Sequence, residues 1–123
     1  MSRVLIVEDD PDLVALVKKW LERDGHEIEH AGDGAAALDR LARSPLPHLV
    51  LLDVMLPKVD GFAVLQSVRA EPRTKDVPVV MITSFSRDKD AARGRELGAN
   101  DYVVKPLMER NFLKRIEGFL KTQ

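Results

Sequence analysis

Short apolar runs recur along the chain, and longer amphipathic segments separate them. Residues 4–7, 49–52 and 79–82 are continuous apolar runs, the pattern expected of strands buried on both faces of a sheet. A polar run at 27–30 and an apolar run at 102–104 complete a set of five predicted strands. Strands that alternate with helices build a parallel sheet, so this pattern excludes all-helical and all-β folds.

The segments between the strands have the periodicity and the end signals of helices. The first begins at Pro11 with Asp10 as its N-terminal cap, and it ends at Gly25. The others are predicted in these ranges: 35–43, about 62–68, about 87–97 and 112–120. Ser86 is the predicted cap of the helix at 87–97, which has few apolar residues and is therefore expected to be weakly anchored.

These elements predict a single α/β domain that occupies residues 1–123. Its doubly wound, five-stranded parallel sheet has helices on both faces and the strand order 2-1-3-4-5 of flavodoxin-like folds. The polar second strand then lies at an edge of the sheet. Ligands of such sheets bind at the carboxyl ends of the strands, where the strand order reverses.

The composition restricts the partners and the compartment. Because the formal net charge is −1, we expect no direct contact between this domain and nucleic acid. No apolar run approaches the roughly 18 residues of a membrane span, and the first strand begins too early for a signal peptide. We therefore expect a cytoplasmic protein that does not contact a membrane. The absence of cysteine excludes disulfides, thiol catalysis and thiolate metal sites.

Polar side chains follow each of the buried strands at the point where the strand ends. Glu8 and Asp9 follow the first strand, Asp53 the third, Thr83 the fourth and Lys105 the fifth. Because the carboxyl ends of parallel strands meet at one edge of a sheet, we expect these side chains to form one cluster.

The charges of this cluster require compensation. Two carboxylates about 5 Å apart repel each other by roughly 3 kcal/mol at an effective dielectric near 20. Lys105 supplies one positive charge, and Mg²⁺ suits an oxygen-only site that shares ligands with a phosphate. A carboxylate such as Asp53 can act as a nucleophile and form an aspartyl phosphate. His26, His30 and His48 are expected to lie away from this edge.

The sequence resembles response-regulator receiver domains of two-component signalling, including the chemotaxis type, over essentially its whole length. The motifs that carry the resemblance are Val-Glu-Asp-Asp at 7–10, Leu-Asp-Val-Met-Leu-Pro at 52–57 with Gly61, Ile-Thr-Ser at 82–84 and Tyr-Val-Val-Lys-Pro at 102–106. The resemblance implies a phosphoprotein that accepts its phosphoryl group from a sensor histidine kinase or a phosphotransfer protein. It also implies a switch that assists its own phosphoryl transfer and hydrolysis, rather than an enzyme.

The same resemblance assigns a role to each residue of the cluster. Asp53 would accept the phosphoryl group, and Mg²⁺ would be bound by Asp9, Asp53 and the main-chain carbonyl of Met55, with Glu8 acting through water. The further assignments are Thr83 and Lys105 as contacts of the phosphoryl group, Tyr102 as the aromatic switch, and a cis peptide between Lys105 and Pro106. The output surface would comprise the helix at 87–97, the fifth strand and the last helix, and it would bind a downstream protein or a second copy.

Other interpretations remain beside this one. A magnesium phosphohydrolase would also use an aspartyl phosphate, but it usually has a second acid where this chain has Met55. A receiver-like module that is never phosphorylated does not need the complete set of Asp9, Asp53, Thr83 and Lys105. The chain is either a stand-alone receiver or part of a longer regulator.

Single residues also have plain structural explanations. Asp10 is assigned mainly to capping the first helix. Thr83 is also explained as a strand-end hydroxyl, and half-buried packing explains Tyr102 nearly as well as a switch role does. Ser84 and Leu107 depart from the commonest receiver pattern, in which alanine and phenylalanine are frequent.

Overall fold

The computed structural model describes residues 2–84 and 88–120 of the chain. Strands and helices alternate along them. The elements are β1 (Arg3–Val7), α1 (Pro11–Arg23), β2 (Glu27–Ala31), α2 (Gly34–Leu41), β3 (Leu49–Asp53), α3 (Gly61–Ala70), β4 (Val79–Thr83), α4 (Asp88–Glu96), β5 (Asp101–Val104) and α5 (Glu109–Ile116). A short 3₁₀ turn, Glu117–Phe119, follows α5.

The strands form one parallel sheet in the order β2-β1-β3-β4-β5, which confirms the predicted topology. Every residue of β3 and β4 is buried, as their continuous apolar runs indicated. The polar strand β2 lies at an edge, with Glu27 and His30 exposed to solvent. The position of this strand follows from its composition, because a central strand would bury those charges.

Two apolar clusters cover the two faces of the sheet. Alternate residues of β1 contribute to different clusters, since successive side chains of a strand point to opposite faces. On one face α1 and α5 pack together, and the rings of Trp20 and Phe112 lie 5.9 Å apart between their centroids. On the other face α2 and α3 cover the cluster that contains Val64 and Leu65. In the described part of the chain, no helix combines the length and the apolarity that a membrane span requires.

Aspartates cap the first three helices. The carboxylate of Asp10 accepts a hydrogen bond from the main-chain N–H of Asp12 at 2.9 Å, which confirms its predicted role. Asp33 and Asp60 cap α2 and α3 in the same way, through contacts that the periodicity did not predict. Ser86, the predicted cap of the fourth helix, and the predicted start of that helix lie outside the described residues.

The amino ends of the strands hold two of the histidines. The main-chain N–H of Ser2 donates to Nδ1 of His26 at 3.0 Å, and that of Arg3 donates to Nδ1 of His48 at 2.8 Å. These two side chains therefore lie at the edge of the sheet opposite the acidic cluster, as expected.

Candidate acidic and phosphoryl-transfer site

Three carboxylates meet at the carboxyl edge of the sheet. Glu8 and Asp9 follow β1, Asp53 ends β3, and one oxygen of each carboxylate lies within 4.8 Å of the others. Glu8 and Asp53 are only 1% and 3% exposed, whereas Asp9 faces solvent. This set offers oxygen donors only, with one member open to solvent, which is the donor chemistry that Mg²⁺ prefers.

Lys105 extends from the end of β5 into this cluster. Its Nζ donates to Oε1 of Glu8 at 2.6 Å and to Oδ2 of Asp53 at 3.0 Å. Burial alone would lower the pKa of Lys105, but the hydrogen bonds to the two acids outweigh it, and the pKa is raised. Lys105 therefore stays charged between the two buried carboxyl groups. The peptide between Lys105 and Pro106 is cis, as the resemblance implied.

Burial favours the protonated form of Glu8, one of the two buried acids. Burial, together with the hydrogen bond to Asp53, raises the pKa of Glu8 from 4.5 to about 8, although Lys105 acts in the opposite direction. Lys105 thus offsets part of the negative charge of the cluster, and burial opposes ionisation of Glu8. A divalent cation at this cluster would compensate the remaining charge and favour the ionised form of Glu8.

The loop after β3 folds back onto Asp53. The main-chain N–H of Met55 donates to Oδ1 of Asp53 at 3.0 Å, and the N–H of Gly61 donates to the main-chain oxygen of Val54 at 2.9 Å. A Cβ atom on Gly61 would overlap the main-chain oxygen of Asp53 and lie 2.8 Å from Cα of Val54. Gly61 therefore allows the start of α3 to pack directly against the backbone of Asp53.

Thr83 and Tyr102 lie on the two strands that follow β3 in the sheet. Thr83 is fully buried at the end of β4, one residue beyond Ile82, which pairs with Asp53. Its main-chain oxygen accepts a hydrogen bond from the N–H of Lys105 at 2.6 Å. Tyr102 is half-buried and packs against the apolar cluster on the α2 and α3 face. Their roles in switching stay predictions.

The expectation for His30 is wrong. Its Nε2 lies 2.7 Å from the main-chain oxygen of Glu8, so this histidine contacts the loop that carries the acids. The register explains the position, because His30 pairs with Ile6 and the last residue of β2 pairs with Val7. The end of β2 thus reaches the same edge as the end of β1. The predicted parallel pairing of β2 with β1 already implied this position for His30. The polarity of β2 indicated an edge strand and gave no sign that one of its side chains contacts the acidic loop.

The raised pKa of Glu8 predicts a pH dependence of the metal-free protein. Between pH 4.5 and about 8 the folded chain binds more protons at Glu8 than the unfolded chain does. The contribution of Glu8 to the free energy of unfolding is therefore fully present below pH 4.5. It is lost as the pH rises through about 8. Urea denaturation in chelator-containing buffers should show that the free energy of unfolding of the parent protein declines between pH 4.5 and about 8 relative to that of Glu8→Gln. The amide of the variant does not titrate. Parallel stability profiles for the two proteins would contradict the prediction.

A family model supports the same interpretation of the chain. The response regulator receiver domain model matches residues 4–117. The DNA-binding dual master transcriptional regulator RpaA of Synechocystis is 41% identical over 98% of this chain and 50% of its own length. The transcriptional regulatory protein CpxR of Escherichia coli is 40% identical with the same coverage. Protein PilH of Pseudomonas aeruginosa is 35% identical and is covered over 98% of its length. The chain thus spans about half of RpaA and CpxR.

Solved structures resemble the whole fold. The chemotaxis response regulator CheY4 of Vibrio cholerae has a TM-score of 0.90 and 30% identity, covering 98% of this chain and 99% of its own. The BeF₃-activated N-terminal receiver domain of RstA from Klebsiella pneumoniae has a TM-score of 0.87 and 31% identity, with the same coverage. The Mn²⁺-bound form of response regulator Rcp1 has a TM-score of 0.84 and 33% identity, covering 96% and 91%. The family match, the topology and the acidic edge agree, and the chain belongs to the response regulator receiver domain family.

Proposed function

We propose that this chain is a phosphorylation-controlled switch in which Asp53 accepts a phosphoryl group from a phosphohistidine on a sensor histidine kinase or a phosphotransfer protein. The observation that supports this most strongly is the environment of Asp53. It ends the central strand, its two oxygens face the N–H of Met55 and Nζ of Lys105, and two further acids lie beside it. Phosphorylation-based switching is typical of the family.

In the transfer step an oxygen of Asp53 attacks phosphorus and forms an acyl phosphate. The P–N bond of the phosphohistidine breaks, and its electron pair stays on the imidazole, which takes up a proton as it leaves. Lys105, whose raised pKa keeps it charged, moves from the carboxylates to an oxygen of the transferred group. Thr83 donates its hydroxyl to another of these oxygens. Water then attacks the phosphorus, the bond between phosphorus and the Asp53 oxygen breaks, and inorganic phosphate leaves. The same groups promote this step, which returns the Asp53 carboxylate to its resting state.

A Mg²⁺ ion is part of this proposal. Asp9, Asp53 and the main-chain carbonyl of Met55 would hold it, with Glu8 acting through water. Carboxylate and carbonyl oxygens suit Mg²⁺, and the clustered oxygens of Glu8, Asp9 and Asp53 support the assignment. The response regulator Rcp1, which has a similar fold, has been solved in a Mn²⁺-bound form, and this supports binding of a divalent cation. The bound ion would supply positive charge that offsets the repulsion between the carboxylates and the phosphoryl oxygens.

The signal leaves the site through the face formed by α4, β5 and α5. A hydrogen bond from Thr83 to the phosphoryl group draws the end of β4 inward, and the half-buried ring of Tyr102 turns into the space beneath α4. Beside β5 and α5 lies a groove of about 700 Å³ lined in part by Val104, Met108 and Phe112. Val104 and Met108 are 39% and 62% exposed, so a downstream protein or a second copy of the chain can bury them. Phosphorylation shifts this surface because the Thr83 contact exists in only one state.

Residues 1–123 form one receiver domain that acts in the cytoplasm. The chain is either a stand-alone receiver, as its match to the full length of PilH allows, or the receiver part of a longer regulator such as RpaA. Its net charge of −1 favours protein partners over nucleic acid or a membrane surface for this domain.

Treatment with a small phosphodonor and Mg²⁺ is expected to add one phosphoryl group per chain, measured by intact mass. Reduction of the acyl phosphate with borohydride, followed by peptide mapping, should identify Asp53 as the modified residue. A chelator should prevent the addition of the phosphoryl group. The decay of the phosphorylated protein after removal of the donor gives the rate of self-catalysed hydrolysis. Modification of another residue, or equal phosphorylation with the chelator present, would overturn the proposal.

A further inference from the structure

We propose that His30 is a positioning residue of the acidic site, which holds the peptide between Glu8 and Asp9 in the orientation needed to bind the divalent cation. The inference rests on the proposed function, because it concerns the same cation site. His30 does not touch the reacting atoms. It acts through the main chain that carries two of the acids.

The peptide that joins Glu8 to Asp9 is held at both of its polar ends. Its carbonyl oxygen lies 2.7 Å from Nε2 of His30, and its N–H donates to Oε2 of Glu8 at 3.2 Å. The preceding N–H, that of Glu8, donates to the main-chain oxygen of Ala31 at 3.1 Å. Two consecutive residues of β2 therefore contact both main-chain polar groups of Glu8.

The chemistry of the contact fixes the role of the ring. A carbonyl oxygen only accepts hydrogen bonds, so Nε2 of His30 carries the hydrogen and donates it. A hydrogen bond to the carbonyl also polarises the peptide and strengthens the N–H of Asp9 as a donor to Oε2 of Glu8.

The position of this peptide controls two candidate ligands at once. The side chain of Glu8 leaves the main chain before it, and that of Asp9 leaves after it, so rotation of the peptide plane displaces both carboxylates. Groups that orient metal ligands commonly change metal affinity when they are removed. One net hydrogen bond at a partly exposed position corresponds to an affinity change of about fivefold.

The test compares His30→Leu, which removes the donor, with His30→Gln, which keeps an N–H donor near the position of Nε2. We expect Mg²⁺ binding, measured by isothermal titration calorimetry, to weaken about fivefold in His30→Leu and to stay within about twofold of the parent protein in His30→Gln. Glu27→Gln, at the exposed opposite end of the same strand, is the matched control and should bind Mg²⁺ like the parent. Equal affinities for His30→Leu and the parent would overturn the inference.

Nuclear magnetic resonance of the metal-free protein tests the contact independently of phosphorylation. The ring nitrogens of His30 should show the hydrogen on Nε2 at pH values where the ring is neutral, and His30→Leu should shift the amide resonance of Asp9. Hydrogen on Nδ1 instead would overturn the role of His30.

If the parent is phosphorylated and binds Mg²⁺ while His30→Leu does so equally well, only this inference fails. If the parent neither binds Mg²⁺ nor accepts a phosphoryl group, the proposed function fails, and the role of His30 fails with it.

Discussion

Replacing Asp53 with asparagine is expected to abolish phosphorylation by small phosphodonors, with a loss of at least about 10³-fold in rate. The amide has nearly the same shape as the carboxylate, but its atoms do not attack phosphorus and it cannot form an acyl phosphate. The N–H of Met55 keeps its acceptor, because the amide oxygen can replace Oδ1. Lys105 loses one of its two acidic partners, so the variant also carries one less negative charge at the site.

Intact mass after incubation with phosphodonor and Mg²⁺ measures this effect directly. Asp10→Asn is a matched control, because Asp10 caps α1 and asparagine caps a helix as well as aspartate does. Its phosphorylation should equal that of the parent protein. Continued addition of one phosphoryl group to Asp53→Asn would show that another residue is the acceptor.

Replacing Gly61 with alanine is expected to lower the free energy of unfolding by about 3 kcal/mol. The new methyl group would overlap the main-chain oxygen of Asp53 and crowd Cα of Val54. These are backbone atoms of the last residue of the buried strand β3 and of the residue directly after it, so they cannot yield as a flexible side chain does. Relief of the overlap displaces Asp53 from Lys105, and phosphorylation should therefore slow as well.

Gly32→Ala is the control for Gly61→Ala, since no neighbouring group lies within 4 Å of the position that a Cβ atom on Gly32 would occupy. Urea denaturation should place Gly32→Ala within about 0.5 kcal/mol of the parent. Phosphorylation rates of the two variants, measured at a temperature where both are folded, separate loss of stability from displacement of Asp53. A Gly61→Ala protein with the stability and rate of the parent would refute the close packing.

The composition of the strands predicted which of them are buried and which one lies at an edge. Apolar runs such as 49–52 place β3 and β4 in the buried centre, and the charges of 27–30 place β2 at an edge. The helix ends were less predictable. The predicted second helix reaches residue 43, but α2 ends at Leu41, where the guanidinium of Arg73 donates to its main-chain oxygen at 2.7 Å. That donor comes from beyond α3, so the local sequence did not reveal it.

Long-range contacts likewise hold the connection between α4 and β5. The guanidinium of Arg69 donates to the main-chain oxygens of Gly98 and Val77, at 2.9 and 2.7 Å, and to the side chain of Asn100 at 2.9 Å. Gly98 ends the predicted helix as expected, with a φ of +100°. Its attachment to α3 depends on an arginine about a quarter of the chain away, which no local pattern indicates.

By itself the sequence determined that the acids, Thr83 and Lys105 reach the carboxyl edge, because strand alternation and parallel order deliver the residue after each strand to that edge. Only the tertiary structure decided how those groups pair. Lys105 reaches Glu8 across 97 positions of sequence, burial raises the pKa of Glu8 to about 8, and His30 contacts the same loop from the edge strand. Distances and burial of this kind depend on where side chains from separate strands are packed together, and the order of residues along a strand does not specify them.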